Sequence, residues 1–195
     1  MAVAPILLVG SERSGTTMLR LMMDGHPDVA FLEEFEYAVD QLDDGVPNMD
    51  AYEKYLSLHR IFQHSGFEFD STLSYAELID SFLEKRRIAK GASMVGATIH
   101  YGFENAPQLW PGARYVHIVR DPRDVAQSLV RLRWRPNFVS AAKAWVAVES
   151  EWERLRATLE AGQYLEVRYE DLVADHETVL RVISDFLGVG FSQSM

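Results

Sequence analysis

The sequence contains no cysteine, which excludes a disulfide scaffold, a thiolate zinc site and thiol chemistry together. It also has no apolar run near the roughly 18–20 residues that span a bilayer. The Ala2–Val9 stretch is apolar, but it lacks a basic leader and runs straight into Glu12 and Arg13. It therefore reads as a buried strand and not as a signal peptide. A cytoplasmic protein with no membrane partner is expected. The six histidines (26, 59, 64, 100, 117 and 176) fall into no metal-ligand spacing such as HExxH, so no metal is expected either. Positive charge is scarce: 19 Lys and Arg stand against 29 Asp and Glu, a net charge of −10. That balance disfavours nucleic acid as a partner.

What is present is a globular composition, 48% hydrophobic and 25% charged over 195 residues, sized for one domain. The charge is uneven. Between Glu33 and Glu53 every charged side chain is acidic: Glu33, Glu34, Glu36, Asp40, Asp43, Asp44, Asp50 and Glu53. Between Arg114 and Arg135 there are six arginines and only two acids, Asp121 and Asp124. A basic segment inside an acidic chain points to a local anion site.

Short apolar runs rich in β-branched residues predict strands at Pro5–Val9, Val29–Leu32, Ser93–Ala97, Tyr115–Val119 and Tyr164–Val167. Met18, Leu19, Met22 and Met23 recur at helical spacing until Gly25-His26-Pro27, and further helices are expected at Glu104–Trp110, Asp124–Arg133 and Glu177–Leu187. Ser74 with Glu77 makes a capping box for a helix that ends near Gly91. Strands alternating with helices imply a parallel sheet covered on both faces. The expected fold is α/β, a P-loop-like three-layer sandwich with a central parallel sheet and a helical insertion at about residues 35–90.

Two segments carry chemistry. Gly10-Ser11-Glu12-Arg13-Ser14-Gly15-Thr16-Thr17 follows a strand, opens a helix and matches the frame GxxxxGK[ST], with Thr16 in the lysine's place. Converging backbone N–H groups and the helix dipole still favour an anion there, and Arg13, Ser14, Thr16 and Thr17 add side-chain donors. Glu12 is tolerable only if it points outward. In the second segment, Val119-Arg120-Asp121-Pro122-Arg123 leaves a strand at its carboxyl end, with Ser128 about two helical turns on. Arg120 and Ser128 could reach one anionic group at the sheet edge where open α/β folds bind ligands.

These residues resemble the sulfotransferases that use 3′-phosphoadenosine-5′-phosphosulfate (PAPS). Pro5–Gly10 with Arg13-Ser14-Gly15-Thr16-Thr17 is similar to their 5′-phosphosulfate loop, and Val119–Arg123 with Ser128 to their 3′-phosphate motif. Val167-Arg168-Tyr169-Glu170-Asp171-Leu172, then Asp185-Phe186-Leu187-Gly188, resembles their closing segment, whose tyrosine lies near the nucleotide in tyrosylprotein sulfotransferases. His26-Pro27 followed by Glu33-Glu34 is similar to the family's His-Pro and Glu-Glu pair. The second acid of that pair is the family's general base.

The resemblance implies a sulfotransferase with PAPS as co-substrate and no metal. Arg13, Ser14, Gly15, Thr16 and Thr17 would hold the 5′-phosphosulfate, and Arg120 and Ser128 the 3′-phosphate, assisted by Arg131 or Arg133. Tyr169 would lie beside the nucleotide, and Glu34 would be the base. Glu33 reads as a solvated carboxylate and His26 as a helix-end residue. The expected acceptor is a small molecule or peptide with a hydroxyl or amine, and a homo-oligomer is left open.

The chain departs from the pattern at Ala97-Thr98-Ile99, where relatives carry Lys-Thr-Pro, so His100 or Lys90 is the candidate substitute. Relatives also continue well past the Phe-Leu-Gly segment, which implies a single domain, 1–195, that is either truncated at its C-terminus or a minimal form. The alternatives are a nucleotide kinase or NTPase on the same loop, disfavoured by Thr16, and a non-catalytic nucleotide-binding remnant.

Overall fold

The computed structural model describes residues 4–43 and 45–195. Met1, Ala2, Val3 and Asp44 lie outside the described residues, and with them the start of the Ala2–Val9 stretch and one member of the acidic run. Five parallel strands, β1 (Ile6–Val9), β2 (Val29–Glu34), β3 (Met94–Ile99), β4 (Arg114–Val119) and β5 (Tyr164–Arg168), form one sheet in the order β2-β3-β1-β4-β5. All five coincide with strands expected from the sequence. β1 is central and buried on both faces: Leu7 and Val9 enter one core, Ile6 and Leu8 the other. That is why it reads as an uninterrupted apolar run.

Helices cover both faces. On one, α1 (Thr16–Asp24) and α8 (His176–Leu187) bury Leu19, Met23, Leu180, Ile183 and Leu187. On the other lie α2 (Met49–Leu58), α3 (Arg60–Ser65), α4 (Tyr75–Lys90) and α6 (Phe138–Arg156), with Tyr52, Phe62, Phe82 and Trp152 in the core. α5 (Pro122–Arg131) packs on α6 through Val125, Ala126, Leu129 and Ala141. The chain runs β1-β2-β3 to one side and continues to β4 and β5 on the other, so the strand order reverses between β1 and β4. The carboxyl ends of these two strands flank the crevice where such sheets bind ligands. Among the described residues no helix is long and apolar enough to cross a membrane.

Several boundaries have readable causes. The Ser74–Glu77 capping box forms as expected, and Gly91 ends α4 in the left-handed region. The segment expected as a helix at Glu104–Trp110 is instead a 3₁₀ helix, Phe103–Gln108, because Pro107 supplies no N–H to an α ladder. α5 starts earlier than expected, at Pro122, since Asp121 accepts from the Arg123 N–H at 2.8 Å and proline suits the first position. It stops at Arg131. Arg133 then turns left-handed (φ 60), while the N–H groups of Arg133 and Trp134 bond back to Val130 and Leu129, a Schellman-type end. The 19-residue α6 and the short α7 (Tyr169–Ala174) were not anticipated.

An ion cluster fixes α4 against the end of α1. Asp24 accepts from the Phe31 N–H (2.7 Å) and, on its two carboxylate oxygens, from Arg86 Nη2 (2.9 and 2.8 Å), with Lys90 at 3.3 Å. Burial pushes the Asp24 carboxyl up, but the Phe31 hydrogen bond and the Arg86 and Lys90 charges outweigh it and hold the carboxyl below its ordinary 3.8. A depressed folded pKa means that the stabilisation is complete above the unfolded value and is lost as pH falls through the folded one. Asp24→Asn is therefore expected to lower stability at neutral pH by about 1.5–3 kcal/mol, the scale of a charged hydrogen bond. In urea titrations its deficit should shrink as the pH is taken below 3.8. A pH-independent deficit would contradict this account.

Candidate active site

The loop after β1 is bent by its glycines. At Gly10 (φ 149) a Cβ would meet Ile118 O of β4 at 2.4 Å, so only glycine lets the chain leave the central strand here. At Gly15 (φ 98) a Cβ would meet Cδ2 of the Tyr169 ring at 2.4 Å. Between them Arg13 is also left-handed (φ 70), and the Ser14 N–H bonds back to Ser11 O at 3.1 Å. α1 begins at Thr16 with no side-chain cap. Its first-turn N–H groups have no intrahelical acceptor and lie at the positive end of the helix, the arrangement that takes an anion.

The structure brings the sequence-predicted anion residues together. Arg13 Nε donates to Ser128 Oγ at 3.1 Å, joining the loop to α5, and its guanidinium lies 5.4 Å from the Trp134 ring centroid. Arg120 Nη1 donates to Arg13 O (3.2 Å), while its guanidinium sits 4.1 Å from the centroid of Tyr169 and 3.7 Å from Asp124. Ser14 Oγ and Arg120 Nε are buried with no hydrogen-bond partner among the described residues. Glu12 pairs loosely with Arg135 at 3.9 Å, which offsets part of the charge of an acid in this loop. Arg123 folds back on Asp121, and Arg131 and Arg133 are exposed at the end of α5. The cap bond and the Arg123 ion pair both engage Asp121, the acid nearest to a kinase-like metal ligand.

β2 ends beside β3, with Glu34 opposite Thr98 and a register irregularity between Phe31 and Glu34. Glu34 is exposed and lines a cavity of about 670 Å³ together with Thr17, Tyr37, Phe67, Thr98 and His100. Glu33 is 79% exposed and pairs loosely with Arg20 at 3.6 Å, as a solvated carboxylate would. His26 accepts from the Asp28 N–H and contacts Gly190 O at 2.6 Å, a structural role at the end of α1.

Of the two candidates for the missing lysine, Lys90 bonds to Asp24 and Val29 O, in the cluster at the end of α1. His100 reaches the loop itself, with Nε2 3.0 Å from Thr16 Oγ1. Its other nitrogen is 2.7 Å from Glu36 Oε1, a buried carboxylate that sequence reasoning counted only within the acidic run. The available signal was its setting: Glu36 is the lone acid in Phe35-Glu36-Tyr37-Ala38, otherwise a core sequence.

A glycine-bent strand-to-helix loop, joined to an arginine-bearing second strand end beside a cavity lined by Glu33 and Glu34, defines a P-loop-like α/β protein. Residues 5–193 match the sulfotransferase family, and the chain belongs to it. The omega-hydroxy-beta-dihydromenaquinone-9 sulfotransferase of Mycobacterium bovis is 24% identical over 248 residues, covering 95% of this chain and 63% of its own length. Among solved structures, the sulfotransferase domain of the Synechococcus PCC 7002 olefin synthase is similar with a TM-score of 0.73, at 24% identity over 98% of this chain and 76% of that one. A mouse sulfotransferase complexed with PAP gives 0.58 at 21% identity over 98% of this chain and 61% of that one. The chain thus spans less than two thirds of the length of the curated relative.

The contact between loop and closing segment can be tested directly. Gly15→Ala combines a left-handed φ with a side chain inside the Tyr169 ring, and is expected to destabilise by about 1–3 kcal/mol. Gly190→Ala, where a Cβ meets nothing within 4 Å, should leave the thermal midpoint within about 1 °C. Equal midpoints for the two variants would refute the packing described.

Proposed function

We propose that the protein transfers a sulfuryl group from PAPS to an acceptor hydroxyl or amine. The observation that carries this reading is the bond from Arg13 Nε to Ser128 Oγ, which fuses the loop to the β4–α5 segment. One ligand with anionic groups at both ends of a nucleoside suits that fusion better than a simple triphosphate. Ser14 Oγ and Arg120 Nε, buried and without a hydrogen-bond partner among the described residues, fit such a ligand, as they offer polar atoms that a bound phosphate would satisfy. The PAP named with the mouse structure is chemically of this kind.

On this reading Arg13, Ser14, Gly15, Thr16 and Thr17 hold the 5′ end, Arg120 and Ser128 hold the 3′-phosphate, and Tyr169 walls the site. PAPS, when bound, supplies the electrophilic sulfuryl group and a nucleotide leaving group. Loop N–H groups and arginines fixed before binding stabilise charge that develops on the leaving phosphate without reorganising, the usual source of most catalysis at such sites. Glu34 takes the acceptor's proton on a carboxylate oxygen at the mouth of the cavity. A cavity of about 670 Å³ is of small-molecule size, and its mixed aromatic and polar lining suits an alcohol with an apolar body. We read the chain as one domain in which segment 35–90 builds the acceptor side of the cleft.

In calorimetric titrations adenosine 3′,5′-bisphosphate is expected to bind more tightly than 5′-ADP by about 1.5–3 kcal/mol, one charged hydrogen-bonded contact. Arg120→Ala should erase most of that gap. Equal affinities in the unmodified protein would overturn the nucleotide assignment.

Glu34→Gln should keep nucleotide affinity while cutting sulfuryl transfer by roughly 10²–10⁴-fold. Glu33→Gln should act only a few-fold. If the two substitutions had the same effect, Glu34 would not be the base.

A further inference from the structure

Thr16 stands where the phosphate-loop frame carries lysine, yet its hydroxyl faces a histidine. Oγ1 is 3.0 Å from His100 Nε2, and among the described residues it has no other hydrogen-bond partner. His100 is in turn held twice by Glu36: Oε1 accepts the His100 backbone N–H at 3.0 Å and the ring Nδ1–H at 2.7 Å. Thr16, His100 and Glu36 are all buried.

The hydrogens in this chain are constrained. A carboxylate can only accept, so Nδ1 carries a hydrogen, and the state of Nε2 decides what Thr16 does. With neutral His100, Nε2 accepts, and the single Thr16 hydrogen is spent on the imidazole. With protonated His100, Nε2–H donates to Oγ1. The Thr16 O–H is then released to donate elsewhere, and Thr16 is the first residue of the helix whose N-terminus receives the anion.

We propose that anion binding in the loop is coupled to uptake of one proton by His100, with Glu36 holding the imidazolium and Thr16 turning its O–H to the anion. The charged groups facing His100 are Glu36 from the turn after β2, Glu34 from the end of β2 and Glu12 from the loop. Burial works against the imidazolium, but the Glu36 hydrogen bond and these three carboxylates prevail and hold His100 above its ordinary value. The trio thereby acts as a conditional replacement for the lysine. His100 and Glu36 are positioning residues, because they act through Thr16. This inference deepens the sulfotransferase reading by naming the device that tunes its 5′ subsite.

The test is calorimetry with adenosine 3′,5′-bisphosphate in buffers of different ionisation enthalpy, from about pH 6 to 9, with the ligand's own proton exchange measured separately. Uptake approaching one proton is expected above the pKa of His100 in the free protein, with affinity falling about tenfold per pH unit there. His100→Gln should abolish the uptake, and Glu36→Gln should move the affinity step to lower pH. Thr16→Val, which keeps the volume and leaves the buried pair intact, should weaken binding roughly tenfold at low pH and hardly at all at high pH. Thr16→Ser should restore the wild-type profile.

If His100→Gln does not fold, the pH-dependent penalty of Thr16→Val decides the matter. Tight wild-type binding without uptake, or a Thr16→Val penalty equal at all pH values, overturns the coupling. Should the nucleotide not bind at any pH, the sulfotransferase reading fails instead. Inorganic pyrophosphate then replaces it as the loop's probe: proton-linked binding upholds the relay, and no linked binding overturns it.

Discussion

The site depends on one guanidinium that ties three segments together. Arg120 leaves β4 at its carboxyl end and donates to the carbonyl of Arg13, in the loop after β1. It also lies on the face of Tyr169, the residue after β5, at 4.1 Å. That ring occupies the volume a side chain at position 15 would need. Loop, second strand end and closing segment are thus fixed relative to one another by a cation–π contact of about 1–2 kcal/mol and one charge-assisted hydrogen bond. Because the arginine is immobilised before any ligand arrives, less ordering remains to be done on binding. The left-handed Arg13, a conformation that costs an ordinary residue about 1 kcal/mol or more, is explained by the same geometry: its carbonyl must face Arg120 while its side chain faces Ser128.

The net charge of −10 hides a division of labour among the acids. The acidic run reads as one solvated rim, but its members do separate work. Glu33 is solvated and weakly paired with Arg20. Glu34 lines the cavity, at whose edge Glu33 and Arg20 also lie. Glu36 is buried against His100, and Asp40 accepts the hydroxyl of Tyr55 at 2.5 Å. Contiguity in sequence says little here, because an irregular strand end followed by a 3₁₀ turn sends successive side chains in different directions. On the opposite side of the crevice the arginines are spent in the same specific way: Arg13 on Ser128, Arg120 on the loop, Arg123 on the α5 cap and Arg114 on the carbonyls that end α8.

The strands and both anion segments were legible because a parallel sheet buried on two faces must be written in short apolar runs, and because a tight strand-to-helix turn demands glycine. α6 escaped notice for the converse reason. It leaves Phe138, Val139 and Val146 exposed and buries Trp152 and Leu155 only near its end, so no clean stripe marks it; Asn137, whose side chain accepts from the Ser140 N–H, was the available signal. The His100–Glu36 contact spans 64 positions and follows from register alone. Glu34 pairs with Thr98 across β2 and β3, and the residues two beyond each, Glu36 and His100, meet where the strands leave the sheet. Sequence reasoning had both residues in view but lacked the strand order that makes them neighbours.

Threonine in place of the loop lysine alters the electrostatics of the loop in a definite way. A lysine brings a permanent positive charge on a flexible stem. The Thr16–His100–Glu36 chain brings a hydroxyl whose direction is set from behind, and a charge that, when present, is matched by a carboxylate 2.7 Å away. Its net contribution to the loop is close to zero, so long-range attraction must come from elsewhere. Arg13 and Arg120 lie where the loop meets the second strand end, and the helix dipole adds to them. On the proposed reading the permanent positive charge is divided, Arg13 serving one end of the ligand and Arg120 the other. If the proposed reading holds, that division favours a molecule anionic at both ends over one with a single polyphosphate tail.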